Sequence, residues 1–249
     1  MPFPLRIPKV QMAALLFLIY LSTLTIYPIS FSGPIILTAL GLTVFFDLLF
    51  TYIRKKILFI PYAAIVTGLI IGLIIDPQSS WYQVAVSAAL AMATKNFLRI
   101  SGKHIFNPAA AGLMIGGIIF SQSVSWWGVS FQNILQFNLQ NTILLLILLL
   151  PSLISGIRMR RIFNSVTFLI SNMILSNLTT TTLLDPTTIF FAIVMLPEPM
   201  TTPVKIKNQI LFGLSVAVLV QLIPLTGINL PDLFIPALLL GNVIFFKYR

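Results

Sequence analysis

Ten apolar runs, near 12–29, 34–53, 57–75, 82–98, 105–120, 142–157, 162–177, 186–197, 208–224 and 231–246, separated by short polar stretches, leave this chain few folds. In lipid a backbone must satisfy its own N–H and C=O groups, so only α-helices and closed barrels span a bilayer. Barrel strands alternate apolar and polar residues, and these runs do not. Charged residues are 8% of the chain and mean hydropathy is +1.02, whereas roughly a quarter of a soluble domain is charged. The sequence therefore predicts an all-α integral membrane protein, one membrane domain over 1–249.

The basic residues set orientation. If Arg6 and Lys9 lie inside and each run crosses once, all fifteen Lys and Arg fall on that side: Arg54 to Lys56, Lys95/Arg99/Lys103, Arg158/Arg160/Arg161, Lys205/Lys207 and Lys247/Arg249. The opposite loops, 27–34, 76–82, 121–141, 177–186 and 224–231, hold no Lys or Arg. Cytoplasmic loops are enriched in these cations, so both termini are expected in the cytoplasm of a prokaryotic inner membrane. The same grouping accounts for the net charge of +10 without nucleic acid. Ser30 to Gly33 makes a poor cleavage site and another span follows at once, so the first run is expected to stay as an uncleaved helix. With no cysteine, no thiolate-held cluster or disulfide is available.

The runs 105–120, 142–157 and 186–197 are shorter than the ~17–25 residues of a simple span. Short segments interrupted by Pro or Gly, in matching positions of two halves, mark broken helices around a midplane site. Asp76-Pro77 precedes Asn107-Pro108-Ala109, and Glu198-Pro199 precedes Ile235-Pro236-Ala237. This correspondence suggests two inverted five-helix repeats, 1–125 and 137–249, although chance dipeptide matching would look similar.

Several residues carry chemistry. Asn107-Pro108 suits a helix start with free N–H groups, and Lys103 and His104 beside it would favour an anionic group. The bland alternative is a plain cap with an interfacial Lys and His. Asp47 is an intramembrane carboxylate, a candidate for cation or proton coupling, unless it simply pairs with the Arg54-Lys55-Lys56 cluster. Glu198, between Pro197 and Pro199 and followed by Thr201 and Thr202, cannot lie in a continuous helix. It suits a cation or polar ligand, or an interfacial loop. The Thr179 to Thr182 run reads as a solvated external loop. No catalytic motif is present, and a lone histidine is weak evidence for a metal.

At these residues the chain resembles the membrane subunits shared by the Rnf electron-transport complex (its D subunit) and the sodium-pumping NADH:quinone reductase (its B subunit). Thr67-Gly68 to Leu73, with Asp76-Pro77 and Trp81, resembles the third-helix pattern; Lys103 to Ala109 resembles the most specific motif; Met195 to Pro203 resembles M-A-T-D-P-V-T-S-P. Pro231-Asp232 to Asn242 resembles the closing segment. The resemblance implies ten helices in inverted halves, a urea-transporter-like fold, partner membrane subunits, and a flavin (FMN or riboflavin) with sodium or proton movement. It places Thr67, Lys103, His104, Asn107, Thr201 and Thr202 toward the cofactor, and Asp47 and Glu198 toward the ion. The family commonly carries an S-G-A-T-type motif in the external loop after the fifth helix, whose Thr holds FMN by a phosphodiester. Loop 121–141 has no Thr, so any flavin is expected to be non-covalent.

Two other functions fit the same residues: a urea-transporter-like channel or carrier for a small solute, and a scaffold for partner subunits. The topology is testable directly. Reporter fusions after Lys56, Arg161 and Arg249 should read cytoplasmic, and fusions near Gln78, Gln132 and Thr180 external; an external signal at Arg161 would overturn the ten-segment order.

Overall fold

The computed structural model describes residues 7–122, 124–129, 153–154, 156–176 and 185–249. In the first half lie α1 (Pro8–Thr23), α2 (Ile29–Lys55), α3 (Tyr62–Ile74), α4 (Trp81–Phe97), β1 (Arg99–Ile100), β2 (Lys103–His104) and α5 (Pro108–Phe120). In the second lie α6 (Ile162–Leu175), α7 (Pro186–Met195), α8 (Ile206–Leu222) and α9 (Phe234–Ile244). The sixth expected segment falls almost wholly outside the described residues, as does the Thr179 to Thr182 run.

Local chemistry sets the helix starts. Ser80 and Gln83 form a reciprocal capping box at α4. Asn107 accepts from the Ala110 N–H with Pro108 in the first turn of α5, and Asp185 with Pro186 does the same for α7 through Thr188. Asp232 accepts from Ile235 N–H at 2.8 Å and so serves the start of α9. Two expected boundaries are corrected. The helix expected from 34 begins at Ile29 and carries Pro34 as its sixth residue, where the ring removes the N–H that would reach the Ser30 carbonyl. The helix expected from 57 begins only at Tyr62, because Lys56 turns left-handed and Pro61 holds the residue before it out of helical geometry.

Among the described helices, Ile29–Lys55 and Ile206–Thr226 are long and apolar enough to cross a membrane. The others are shorter; α3 and α5, with 13 residues each, are about 20 Å long at 1.5 Å per residue. One end of each, Ile74 of α3 and Pro108 of α5, is buried inside the molecule. The segment 124–129 closes the end of α3: Ser125 and Trp126 N–H donate to Ile74 O, Gly128 N–H donates to Leu73 O, and Trp127 Nε1 donates to Gly72 O at 2.8 Å. Trp126 Nε1 also donates to Asp232 at 2.8 Å, tying this plug to the start of α9.

Pairings recur between the halves. α2 packs on α3 and α4, and α6 packs on α7 and α8; α4 packs on α5, and α8 on α9. α5 and α9 cross each other, with Asn107 N–H donating to Asn242 at one end and Gly117 lying against Pro231 at the other. Phe168, Phe190, Phe191 and Phe212 fill the second-half core, and Phe191 stacks on Phe234 at 4.9 Å.

Small residues let α2 and α3 touch. A Cβ at Gly68 would sit 2.8 Å from the Leu40 backbone, whereas one at Gly41 would meet nothing within 4 Å. Gly68→Val should therefore lower the thermal midpoint of the detergent-solubilised protein by an amount matching the ~1–3 kcal/mol of overpacking. Gly41→Ala should leave it near wild type.

Candidate ion-coupling site

A tight hairpin positions the first half of the site. Ser101 and Gly102 both have positive φ, 50° and 79°, as a two-residue primed turn requires. Pairing of Arg99 with His104 and Ile100 with Lys103 fixes the register. Side chains alternate along a strand, so Lys103 is exposed while His104 is 5% exposed and faces inward. The hairpin thus separates two neighbours that the sequence groups together.

Across from His104, the turn after α7 presents Glu198. His104 Nε2 lies 3.1 Å from Glu198 Oε1, and Thr201 donates to Glu198 Oε2 at 3.1 Å. Thr202 donates to the Glu198 carbonyl at 2.7 Å and accepts from Arg161 Nε at 3.2 Å. Thr201 and Thr202 are both fully buried. Arg161 also reaches the Pro199 carbonyl, and burial holds its guanidinium below the usual value.

Two asparagines stitch the halves together. Asn107 Nδ2 donates to Met195 O at 3.2 Å, the last residue of α7, while Asn242 accepts from Asn107 N–H at 2.9 Å and donates to Thr201 O at 3.3 Å. Arg249 donates to the carbonyls of His104, Ile105 and Asn242. Burial brings its guanidinium down to about 10, with Glu198 opposing the drop, so it stays cationic at neutral pH.

Asp47 forms an adjoining centre. It is fully buried on α2 and accepts from Lys95 Nζ at 2.6 Å and Asn96 Nδ2 at 3.0 Å, both on α4. Thr51 and Arg54 donate to Asn96 Oδ1. The direct partner of Asp47 is therefore Lys95, and the 54–56 cluster reaches it only through Arg54 and Asn96. Glu198 adds only a weak long-range attraction on Lys95, whose direct partner is Asp47.

The structure brings together His104, Asn107, Glu198, Thr201 and Thr202, with Asp47 beside them. It does not bring in Lys103 or Thr67. Thr67 lies on α3 and turns its hydroxyl back to Ala63 O at 2.9 Å. Sequence reasoning missed Lys95, Asn96, Arg161 and Arg249. Their loop-side positions read as topology charges, and only the buried face of each helix end tells them apart.

Four of the residues expected to hold a flavin make hydrogen bonds within the chain. Asn107 is spent on Ala110 and Met195, both threonines on Glu198, and Thr67 on its own helix. A small cavity of about 10 Å³, room for roughly one water, is lined by Ile75, Ser87, Leu113, Gly117, Gln122 and Val124, and not by Thr67, Lys103, His104, Asn107, Thr201 or Thr202.

A sequence model of the NQR2, RnfD, RnfE family matches residues 5–144. The chain belongs to that family. No curated protein matches it. Membership and the apolar helices make it a membrane protein of a family whose members are subunits of multi-subunit membrane complexes. The matched span includes the hairpin, Asn107 and Asp47 but ends before Glu198.

Breaking a buried ion pair from one side strands the other charge, at a cost of ~3–5 kcal/mol. Asp47→Asn should therefore destabilise the protein strongly in thermal unfolding. Asp47→Asn combined with Lys95→Met should recover much of the loss, giving a large coupling in the double-mutant cycle; simple additivity would show that the pair is not energetically joined.

Proposed function

We propose that this protein is a membrane subunit of a redox-driven, ion-translocating electron-transport complex of the Rnf/Nqr type, with the His104–Glu198 centre taking part in ion coupling. The family match over 5–144 carries this reading. A part-buried His–carboxylate contact, 3.1 Å long and bridging the two halves, supports the ion-coupling part. In this reading the halves are inverted five-helix repeats of a urea-transporter-like fold, both termini are cytoplasmic, and the chain lies in a prokaryotic inner membrane. The recurrent pairings α2 with α3 and α4, and α6 with α7 and α8, support the repeat. So do the Asn107 and Asp232 caps at the starts of α5 and α9.

The subunit contributes ion movement and contacts with other membrane subunits. Flavin, FMN or riboflavin, supplies electron-transfer chemistry to such complexes. Here it is non-covalent, because loop 121–141 offers no threonine for a phosphodiester, and shared with partner subunits. The residues Lys103 and Thr67 are left out of the coupling centre.

The test is affinity purification of the tagged chain from gently solubilised native membranes. Redox membrane subunits should co-purify, flavin should be released by acid, and no fluorescent band should appear at the chain's mass on a denaturing gel. Recovery of the chain alone, with solute flux in liposomes and no chromophore, would replace this function with a solute channel.

A further inference from the structure

We infer that Arg54 and Arg99 together hold the headgroup phosphate of an anionic phospholipid, whose acyl chain runs along an aromatic wall made by Phe46, Phe50 and Phe97. The inference is independent of the ion-coupling reading and needs only that the chain lies in a membrane. Both guanidinium groups hang on the last turn of α4. Arg54 Nη2 donates to Asn96 Oδ1 at 3.3 Å, and Arg99 Nη1 donates to the Lys95 carbonyl at 3.0 Å. Arg99 Nη2 also donates to the Gly102 carbonyl in the hairpin turn. Burial, and after it the charge of Arg54, hold the Arg99 guanidinium below its usual value, so the two cations stand close enough to repel. A guanidinium carries five N–H donors. These bonds leave N–H groups on both arginines for a further acceptor.

No Asp or Glu of the chain is placed to neutralise the pair. All five lie among the described residues. Asp47 pairs with Lys95 at 2.6 Å, and Glu198 faces His104 at 3.1 Å. Asp76 follows the far end of α3, and Trp126 in the plug at that end holds Asp232. Asp185 caps the start of α7, whereas Asn107 meets its other end. The counter-charge therefore comes from outside the chain. Phosphate suits two guanidinium groups because its oxygens accept their N–H bonds in pairs.

The surface beneath the pair says which phosphate. Phe46, Phe50 and Arg54 recur at helical spacing and so share a face of α2. The rings of Phe46 and Phe50 stack at 5.6 Å, and Phe97 packs on Phe50 at 5.4 Å while keeping 52% of its surface open. Leu98 and Ile100 beside it are exposed as well. An apolar wall below two cations matches a lipid, with the tail against the rings and the phosphate against the guanidinium groups. A soluble phosphate would make no use of the wall.

Lys103 supplies a control of equal charge. Across the hairpin Arg99 pairs with His104 and Ile100 with Lys103, so strand alternation turns Lys103 away from Arg99. The full chain in detergent is titrated with phosphatidylglycerol and, separately, with phosphatidylcholine, which carries the same phosphate beside a quaternary cation. Native mass spectrometry counts the bound lipid. Wild type should bind one phosphatidylglycerol in preference to phosphatidylcholine. Arg54→Gln and Arg99→Gln should each weaken that binding roughly tenfold or more, and Lys103→Gln should leave it near wild type. A photo-crosslinking benzoylphenylalanine placed at position 97 should capture phospholipid in native membranes. Equal affinity for the two lipids overturns the inference, as does displacement of phosphatidylglycerol by inorganic phosphate or an equal loss in Lys103→Gln. Capture of a protein at position 97 would give this face to a partner subunit instead. The comparison of lipids on wild-type protein needs no variant, so misfolding of an arginine variant leaves the inference testable.

Discussion

Half-length helices end inside the molecule, and the backbone groups they leave unbonded must find partners there because lipid offers none. The rest of the architecture follows from meeting that demand. At the end of α3 the indole of Trp127 and the N–H groups of Ser125, Trp126 and Gly128 cover the Gly72, Leu73 and Ile74 carbonyls. At the end of α7 the Asn107 amide covers Met195 O. In both places the covering group comes from a distant part of the chain, so satisfying a helix end also fixes the tertiary fold.

The His104–Glu198 centre grows from the second of these joints. Asn107 faces two ways, capping α5 with its oxygen and α7 with its nitrogen, and Asn242 repeats the pattern between Asn107 and Thr201. This amide frame leaves Glu198 in a turn between Pro197 and Pro199, at the point where the hairpin delivers His104. The ion pair of Asp47 and Lys95 lies next to it and is bound into α2 and α4 by Asn96.

Much of this was legible in the sequence. Apolar run lengths placed the helices, and Asn107-Pro108 announced one start through a chemistry that is local. Glu198 was readable as non-helical because its flanking prolines forbid a helix wherever they occur. The hairpin was harder: two residues per strand give too short a run for any periodicity, and only the Ser101-Gly102 pair hints at a turn. Lys103 and His104 look equivalent in a linear motif, and a one-residue step along a strand puts them on opposite faces. Lys95, Arg161 and Arg249 were hidden by their own usefulness as topology charges. Whether such a cation snorkels to water or turns inward depends on neighbours far away in the chain. The departure of Thr67 has the opposite cause, since its hydroxyl finds the Ala63 carbonyl within its own helix.

The plug at the end of α3 also limits how the protein can move. Pulling 124–129 away would bare three carbonyls and an indole N–H, each costing ~1–3 kcal/mol when left buried and unpaired. Helix α3 and the plug must therefore travel as one lever. Trp126 extends that lever to Asp232, beside the first turn of α9. Pro231, next to Asp232, is also where Gly117 of α5 packs, so the lever reaches the crossing of α5 and α9 that the Asn107 N–H to Asn242 bond closes at its other end.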